Sequence, residues 1–213
     1  MLQSRISTSA IKRLSLHCQS QYLQQFPIFT TTSNRIFENA KRNASTTGTF
    51  NYIQEEIKDA NDRYNGILTI RETNDRGWGL HVTRSKPFSI GEKIMSSVAL
   101  STSHVRDSHS VQVGWDKHVL MDLPARFINH SCDANVGIRD NESGAYDFFA
   151  IREIEFGEEL LWDYEASEYE VSAFETCLCG SSKCRKVLGG FKMSGETIRD
   201  LYGEYYANYL KDR

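Results

Sequence analysis

Apolar and polar residues alternate over several short stretches in the middle of the chain, which is the pattern of half-buried β-strands. The first two stretches, residues 66–73 and 80–83, flank a turn-rich segment of Asn, Asp and Gly. The further predicted strands are residues 93–100, 110–113, 118–121, 136–139, 145–151 and 159–162. Because no long helical pattern separates them, the sequence predicts a mainly β domain built from small sheets.

Helical periodicity is confined to the two ends of this domain. Residues 52–64 carry Ile53, Ile57 and Tyr64 on one face, which predicts an amphipathic lead-in helix. Near the C-terminus, Ser194 is a suitable N-cap for a second helix. The apolar stripe of that helix is Ile198, Leu201, Tyr202, Tyr205 and Tyr209. We expect this tyrosine-rich stripe to pack on the domain.

Composition and charge narrow the class of protein. The chain has 213 residues, of which 39% are hydrophobic and 25% are charged, which suits one ordinary core and one or two domains. No apolar run approaches the ~20 residues of a bilayer span, so we do not expect a membrane protein. Five cysteines are too few for a disulfide-stapled secreted scaffold of this length. The formal charge of −3 argues against a protein that binds nucleic acid through phosphate neutralisation.

The first 48 residues differ in character from the rest of the chain. They contain six basic residues, one acidic residue and many hydroxyl side chains, and the apolar positions Leu2, Ile6, Ala10 and Leu14 recur every four residues. A basic, acid-poor amphipathic segment is typical of a mitochondrial or plastid transit peptide. The alternative is a disordered basic arm, with the nucleus and its chromatin as the location.

Four of the cysteines are candidates for a structural zinc site. Cys177, Cys179 and Cys184 form a C-x-C-x4-C pattern on a polar loop, and three thiolates leave a tetrahedral ion one ligand short. Cys132 is the other candidate outside the N-terminal segment. The basic residues that flank the loop and would favour thiolates are Lys183, Arg185 and Lys186. Buried free thiols and a redox pair are alternatives, but three cysteines so close together on a polar loop favour a metal.

Four sequence blocks resemble, in the same order, the motifs of the SET-domain protein lysine methyltransferases with a post-SET zinc loop. The blocks are RGWGL (76–80), RFINHSCDAN (126–135), GEELLWDYE (157–165) and CLCGSSKCR (177–185). The second block places an amide, an imidazole and a hydroxyl in consecutive positions. Each of these residues alone is more often an ordinary turn residue, but next to the candidate zinc ligand Cys132 they suggest a polar ligand site. The resemblance covers about residues 67–188.

The resemblance implies roles in cofactor binding and catalysis. The loop Gly77-Trp78-Gly79 would approach S-adenosylmethionine through its backbone, since glycine permits close contact. Asn129 and His130 would hydrogen-bond the adenine and amino-acid portions of the cofactor. Tyr164 would stand at the mouth of a lysine channel. The implied zinc ligands are Cys132, Cys177, Cys179 and Cys184, in agreement with the spacing.

Trp162 occupies a position at which the family usually has Phe or Tyr and which influences the number of methyl groups added. The bulkier ring leaves less room beside the amine, which favours mono-methylation.

The implied fold is a mainly β SET fold of small curved sheets with a pseudoknot. In the pseudoknot, the strand at 126–132 is threaded by the later segment. Ordinary chain connections are not threaded in this way. A post-SET zinc loop and flanking helices complete it. The expected organisation is a targeting or disordered segment (1–48), a lead-in helix (49–66), the SET domain (67–170), the post-SET zinc loop (171–190) and a C-terminal helix (191–213).

Methyl transfer from a sulfonium needs a neutral lysine, although the reference pKa of lysine is ~10.4. An aromatic channel lowers that pKa by desolvation. Tyr164 would orient the amine rather than act as its base, because the reference pKa of tyrosine is ~10. The sequence therefore predicts methyl transfer from S-adenosylmethionine to lysine in a basic histone or organellar protein or peptide, without sequence-specific nucleic-acid binding. A non-catalytic, zinc-stabilised SET-like binding module is the alternative.

Nine acidic and no basic residues lie between positions 153 and 175. Such a run would attract a basic peptide, for example a histone tail, if it surrounds the lysine channel. An ordinary solvated acidic face explains it equally well.

Overall fold

The chain folds mainly as β structure, as its alternating pattern predicts. The computed structural model describes residues 46–74, 76–106, 109–171 and 176–212. The predicted targeting segment (1–48) falls outside them except for its last three positions, which begin the first helix. In the part that is described, no helix is both long and apolar enough to cross a membrane.

Two helices and ten short strands make up the described part of the chain. The helices are α1 (Thr46–Arg63) and α2 (Phe191–Tyr202). The strands are β1 (Leu68–Glu72), β2 (Trp78–Val82), β3 (Lys93–Ser96), β4 (Ala99–Ser103), β5 (Val111–Gly114), β6 (Lys117–Met121), β7 (Asn129–His130), β8 (Val136–Asp140), β9 (Tyr146–Ala150) and β10 (Leu161–Trp162). Short 3-10 helices cover Ala125–Phe127, Tyr164–Ala166 and Asn208–Leu210.

The strands form three small sheets. β1 and β2 form an antiparallel pair in which Leu68 lies opposite Val82. The second sheet has the order β3-β9-β8-β10-β7, and the third has the order β4-β6-β5. Along β9, Tyr146, Phe148 and Ala150 are fully buried while the residues between them are half-buried, which is the period of two that the sequence shows.

Strand β10 is inserted between two strands that follow one another in the chain. It pairs in parallel with β7 on one side and with β8 on the other. The connection 131–135 therefore passes across β10, where the backbone N–H of Ser131 donates to the carbonyl of Trp162 at 3.0 Å. The backbone N–H of Asn135 donates to the carbonyl of Leu161 at the same distance. This is the threaded arrangement that the resemblance implies.

Helix α1 covers the β1–β2 sheet with its apolar face. Ile57 and Ala60 are buried, at the spacing that the amphipathic pattern predicts. The side chain of Asn61 fixes the register of the helix on β1, because its Oδ1 accepts the backbone N–H of Ile70 at 2.6 Å and its Nδ2 donates to the carbonyl of Ile70 at 3.2 Å.

The C-terminal helix begins at residue 191 as expected, but it differs from its prediction in its N-cap and in its end. Gly190, not Ser194, is the N-cap, so Ser194 lies inside the first turn. The helix does not continue to residue 213. It ends at Tyr202 because Gly203 adopts a left-handed conformation (φ +58°), and the N–H of Gly203 donates to the carbonyl of Arg199. Tyr205 therefore lies beyond the helix.

Candidate functional site

The glycine loop lies where β1 turns into β2. The backbone N–H and the hydroxyl of Thr73 both donate to the carbonyl of Gly77, at 2.6 and 2.9 Å. At Gly79 a Cβ atom would stand 2.6 Å from Oε1 of Glu159, closer than a real side chain tolerates. Any larger residue at position 79 would therefore displace the carboxylate of Glu159 or the methyl group of Thr73.

Asn129 is joined to this loop through both hydrogens of its amide. Its Nδ2 donates to the carbonyl of Trp78 at 2.9 Å and to Oε1 of Glu159 at 2.8 Å. The other carboxylate oxygen of Glu159 lies 2.8 Å from Nη2 of Arg76. Because both amide hydrogens are used inside the protein, Oδ1 is the atom of Asn129 that is suited to accept from a ligand. The structure thus brings the predicted loop and Asn129 together through Glu159, which the sequence reasoning missed.

His130 is buried, and its ring connects two predicted features. The backbone N–H of Tyr164 donates to Nδ1 at 3.2 Å, and Nε2 lies 3.4 Å from Sγ of Cys132. This pattern assigns the ring proton to Nε2, which then donates to the sulfur. Burial lowers the pKa of His130 to about 4, although Asp163 nearby opposes the shift. The neutral imidazole therefore faces the cysteine cluster.

Tyr164 begins the 3-10 helix that directly follows the threaded strand. Its hydroxyl donates to the carbonyl of Ile128 at 3.2 Å. Its ring centre lies 5.2 Å from the ring of His130 and 5.3 Å from the ring of Trp162. The hydroxyl hydrogen is thus directed at a backbone carbonyl, and the phenolic oxygen keeps its lone pairs for a further partner.

Trp162 is a core residue beside Tyr164. Its side chain packs between the aromatic rings of β9, with its centre 5.9 Å from Phe148 and 6.2 Å from Tyr146. Only 3% of the residue is exposed. The indole therefore fills the space on one side of the Tyr164 ring.

The cysteines predicted to bind zinc lie together. Sγ of Cys132 and Sγ of Cys177 are 3.7 Å apart, and a Zn–S bond of about 2.3 Å gives about 3.8 Å between two ligands of a tetrahedron. Donor atoms of His130, Cys132, Cys177 and Cys179 all lie within 4.8 Å of one another. Cys184 is outside that group, and its Sγ lies 3.6 Å from the carbonyl of Cys177. The donor set and spacing fit a zinc ion, with His130 and Cys184 as competing fourth ligands.

The thiols of this cluster differ in acidity. Burial raises the pKa of Cys132 to about 11 even though the backbone and charge of Arg185 oppose it, and burial likewise raises the pKa of Cys177. At Cys179, burial is outweighed by hydrogen bonds from the backbone of Cys132 and Ser181, and the pKa is lowered. A cation in the cluster would therefore replace protons on buried sulfurs.

Most acids of the run lie next to basic side chains of the same domain. Six of its nine acids lie in ion pairs: Glu158 with Arg152, Glu159 with Arg76, Asp163 and Glu165 with Arg185, Glu168 with Arg106, and Glu170 with Lys192. Glu153 and Glu155 are exposed. Glu175 lies outside the described residues. Most of the run therefore takes part in ion pairs within the domain.

The described chain is a threaded β domain in which the β7–β10 pair connects the glycine loop and Asn129 to a cysteine cluster. The family model "SET domain" matches residues 10–165, which is more than half of the chain, and the chain belongs to this family. The match begins inside the predicted N-terminal segment.

The chain is similar to curated histone-lysine methyltransferases. It is 31% identical over 137 residues to the Drosophila melanogaster histone-lysine N-methyltransferase ash1, which covers 55% of this chain and 6% of that protein. It is 33% identical over 143 residues to the Fusarium mangiferae H3 lysine-9 specific enzyme KMT1, covering 60% of this chain and 41% of that protein. The chain therefore matches well under two thirds of the length of either relative.

One solved structure adds a comparison in three dimensions. Arabidopsis thaliana SUVH6 in complex with SAM is 24% identical to this chain, with a TM-score of 0.45, over 57% of this chain and 33% of that chain. Because this TM-score is low, the fold assignment rests on the family match and on the threaded topology.

Proposed function

We propose that this protein transfers a methyl group from S-adenosylmethionine to the side-chain amine of lysine in a protein, and that it carries a structural zinc ion. The observation that carries the proposal is the threading of β10. It places Tyr164 directly against the Asn129–His130 strand and so joins a tyrosine to the glycine loop and the cysteine cluster.

The cofactor would be held at the glycine loop and Asn129. Oδ1 of Asn129 is suited to accept from the amino group of S-adenosylmethionine, because Nδ2 is already bound to Trp78 and Glu159. The ring of His130 is engaged with Tyr164 and Cys132, which leaves its backbone groups to contact the cofactor. When bound, S-adenosylmethionine supplies an electrophilic methyl group.

Tyr164 would orient the lysine amine. Its hydroxyl hydrogen is directed at the carbonyl of Ile128, so the phenolic oxygen presents lone pairs to the reacting groups. A lysine that enters beside Tyr164 and the half-buried Trp78 and Phe127 leaves bulk water, and desolvation lowers its pKa and favours the neutral nucleophile. Orientation of this kind can lower the activation free energy by several kcal/mol.

Zinc would fasten the loop 177–184 to Cys132. We propose Cys132, Cys177, Cys179 and Cys184 as ligands, with the Nε2–H of His130 donating to the thiolate of Cys132. The ion would then support β7, on which Asn129 and His130 lie, from the side opposite the glycine loop.

We propose a histone as the substrate, because the relatives are named as histone-lysine methyltransferases. The N-terminal segment keeps an organellar protein as the competing substrate. A fusion of residues 1–48 to a fluorescent protein would separate the two, since import into mitochondria or plastids would exclude chromatin.

The function is tested with zinc-replete protein and S-adenosylmethionine that carries a radioactive methyl group. We expect label on lysine in core histones or in an organellar protein extract. The control is the same protein with Tyr164→Phe, which should bind the cofactor but transfer far less label. Retention of labelled cofactor with no transfer to any basic protein or peptide would instead identify a non-catalytic binding module.

A further inference from the structure

Two buried carboxylates flank Tyr164 in the chain. The side chains of Asp163 and Glu165 are 1% and 0% exposed. Asp163 also caps the 3-10 helix that Tyr164 begins, because its Oδ1 accepts the backbone N–H of Glu165 at 3.1 Å. Two buried charges so close together carry a large desolvation cost unless a cation and hydrogen-bond donors compensate them.

Arg185 supplies that cation from the cysteine loop. Its Nη2 lies 2.7 Å from Oδ1 of Asp163 and 2.6 Å from Oε2 of Glu165. Burial would lower the pKa of this guanidinium, but the hydrogen bond and charge of Asp163 and the charge of Glu165 outweigh burial and raise it. One side chain thus bridges the carboxylates before and after Tyr164.

The same residue is also part of the cysteine cluster. Arg185 directly follows Cys184, and its backbone N–H lies 3.4 Å from Sγ of Cys132, within reach of a weak N–H···S bond. The position of the guanidinium therefore depends on how the loop is folded around the cluster. The second oxygens of the two carboxylates accept from the hydroxyl of Tyr202 (2.9 Å) and from the backbone N–H of Gly190 (2.7 Å), so the network also reaches α2.

We propose that Arg185 is a positioning residue that couples the zinc loop to Tyr164. A loop folded around zinc delivers the guanidinium to Asp163 and Glu165 and holds the 3-10 turn in which Tyr164 lies. When the loop opens, or when a neutral residue replaces Arg185, two buried carboxylates repel each other beside Tyr164, and the turn loosens. The proposal rests on the proposed roles of Tyr164 and of the cysteines.

Charge balance provides the test. Arg185→Gln leaves both carboxylates without their cation, whereas Arg185→Gln combined with Glu165→Gln removes one cation and one anion together. We expect Arg185→Gln to keep one zinc per chain, to lower kcat by at least about tenfold and to leave KM for S-adenosylmethionine nearly unchanged. The double variant should recover a large part of kcat. Lys192→Gln, which removes an exposed ion pair outside the network, is the control and should behave as the native protein.

Hydrogen exchange gives a readout that does not need turnover. Arg185→Gln, or removal of zinc from the native protein with a chelator, should speed deuterium uptake in the peptide that covers residues 163–169, and the double variant should slow it again. If deuterium uptake changes in Arg185→Gln and in the zinc-free protein as expected, but the native protein transfers no methyl group, the proposed function fails and the coupling stands. The coupling would be overturned if deuterium uptake and kcat were unchanged in Arg185→Gln. It would also be overturned if kcat fell only in proportion to a loss of zinc.

Discussion

The side-chain amide of Asn129 donates to Oε1 of Glu159 across 2.8 Å, although thirty positions separate the two residues. The same oxygen lies against Gly79, and the other oxygen pairs with Arg76. Glu159 thus fixes the amide of Asn129 and the glycine loop relative to each other. The pocket proposed for the cofactor depends on a residue that need not contact the cofactor.

Replacement of Glu159 by Gln should weaken cofactor binding. Gln keeps one acceptor oxygen but turns an NH₂ group towards either Arg76 or Asn129, so one charge-assisted hydrogen bond is lost. We expect Kd for S-adenosylmethionine, measured by calorimetry, to rise by about tenfold or more. The kcat at saturating cofactor should fall less than kcat/KM. An unaltered Kd would mean that Glu159 has only a structural role.

Tyr164→Phe removes one oxygen atom and keeps the ring between His130 and Trp162. If the hydroxyl orients the amine, kcat should fall by about a hundredfold or more while the Kd of the cofactor and the zinc content stay unchanged. Single-turnover measurements of methyl transfer check this. A variant with native kcat would show that the amine is positioned by other groups.

The fourth zinc ligand can be identified by exchanging the candidates. Nδ1 of His130 accepts the N–H of Tyr164, so Nε2 carries a proton and donates instead of ligating. We therefore expect His130→Asn to retain the metal and Cys184→Ala to lose affinity for it. Substitution with Co²⁺ distinguishes the ligand sets by absorption, because thiolate-to-cobalt charge transfer grows with the number of thiolates. If the Co²⁺ absorption keeps its full intensity in both Cys184→Ala and Cys179→Ala, this ligand set is wrong.

The sequence predicted most of the strands and drew attention to the cysteine loop, because alternation and cysteine spacing are both patterns of residues close together in the chain. The predicted strand 93–100 is split into β3 and β4, whose pairing with different sheets no local pattern encodes. β7 has two residues, too few for any alternation. The end of α2 was predictable, since Gly203 is the C-terminal signal that the tyrosine stripe obscured.

The missed residues act over long distances in the chain. Glu159 looked like one acid among nine, and Arg185 looked like a loop cation that favours thiolates. Only the threading of β10 shows that Glu159 meets the glycine loop and that Arg185 faces Asp163 and Glu165. The chemistry of a site can be predicted from motifs, whereas the residues that hold its parts together depend on the tertiary fold.

Trp162→Phe should change the number of methyl groups that are added. The indole fills the space between Tyr164 and the β9 rings Tyr146 and Phe148, and a phenyl ring would leave a gap beside the amine. We expect the native protein to give mainly monomethyl-lysine and the variant to give more di- and trimethyl product, at a cost of about 1–3 kcal/mol in stability. Mass spectrometry of the product peptide decides, and abundant trimethyl-lysine from the native protein would contradict the prediction.

Glu168 should make the stability of the fold depend on pH. Burial raises its pKa to about 7, against the opposing effects of the Gln112 N–H at 2.7 Å, Arg106 and Ser167. Between pH 4.5 and about 7, Glu168 is therefore protonated in the folded state but ionised in the unfolded chain, where it has its ordinary pKa of 4.5. Stability from this group is complete at low pH and is lost as the pH rises through about 4.5 to 7.

Glu168→Gln keeps the acceptor for the Gln112 N–H and cannot ionise. It should match the native protein near pH 4.5 and exceed its free energy of unfolding above pH 7, by up to about 3 kcal/mol. Urea unfolding midpoints between pH 5 and pH 8 measure this difference. Glu153→Gln, at an exposed position, is the matched control and should not change the slope. If Glu168→Gln is less stable than the native protein at pH 8, the ion pair with Arg106 outweighs desolvation, and Glu168 is ionised in the folded state.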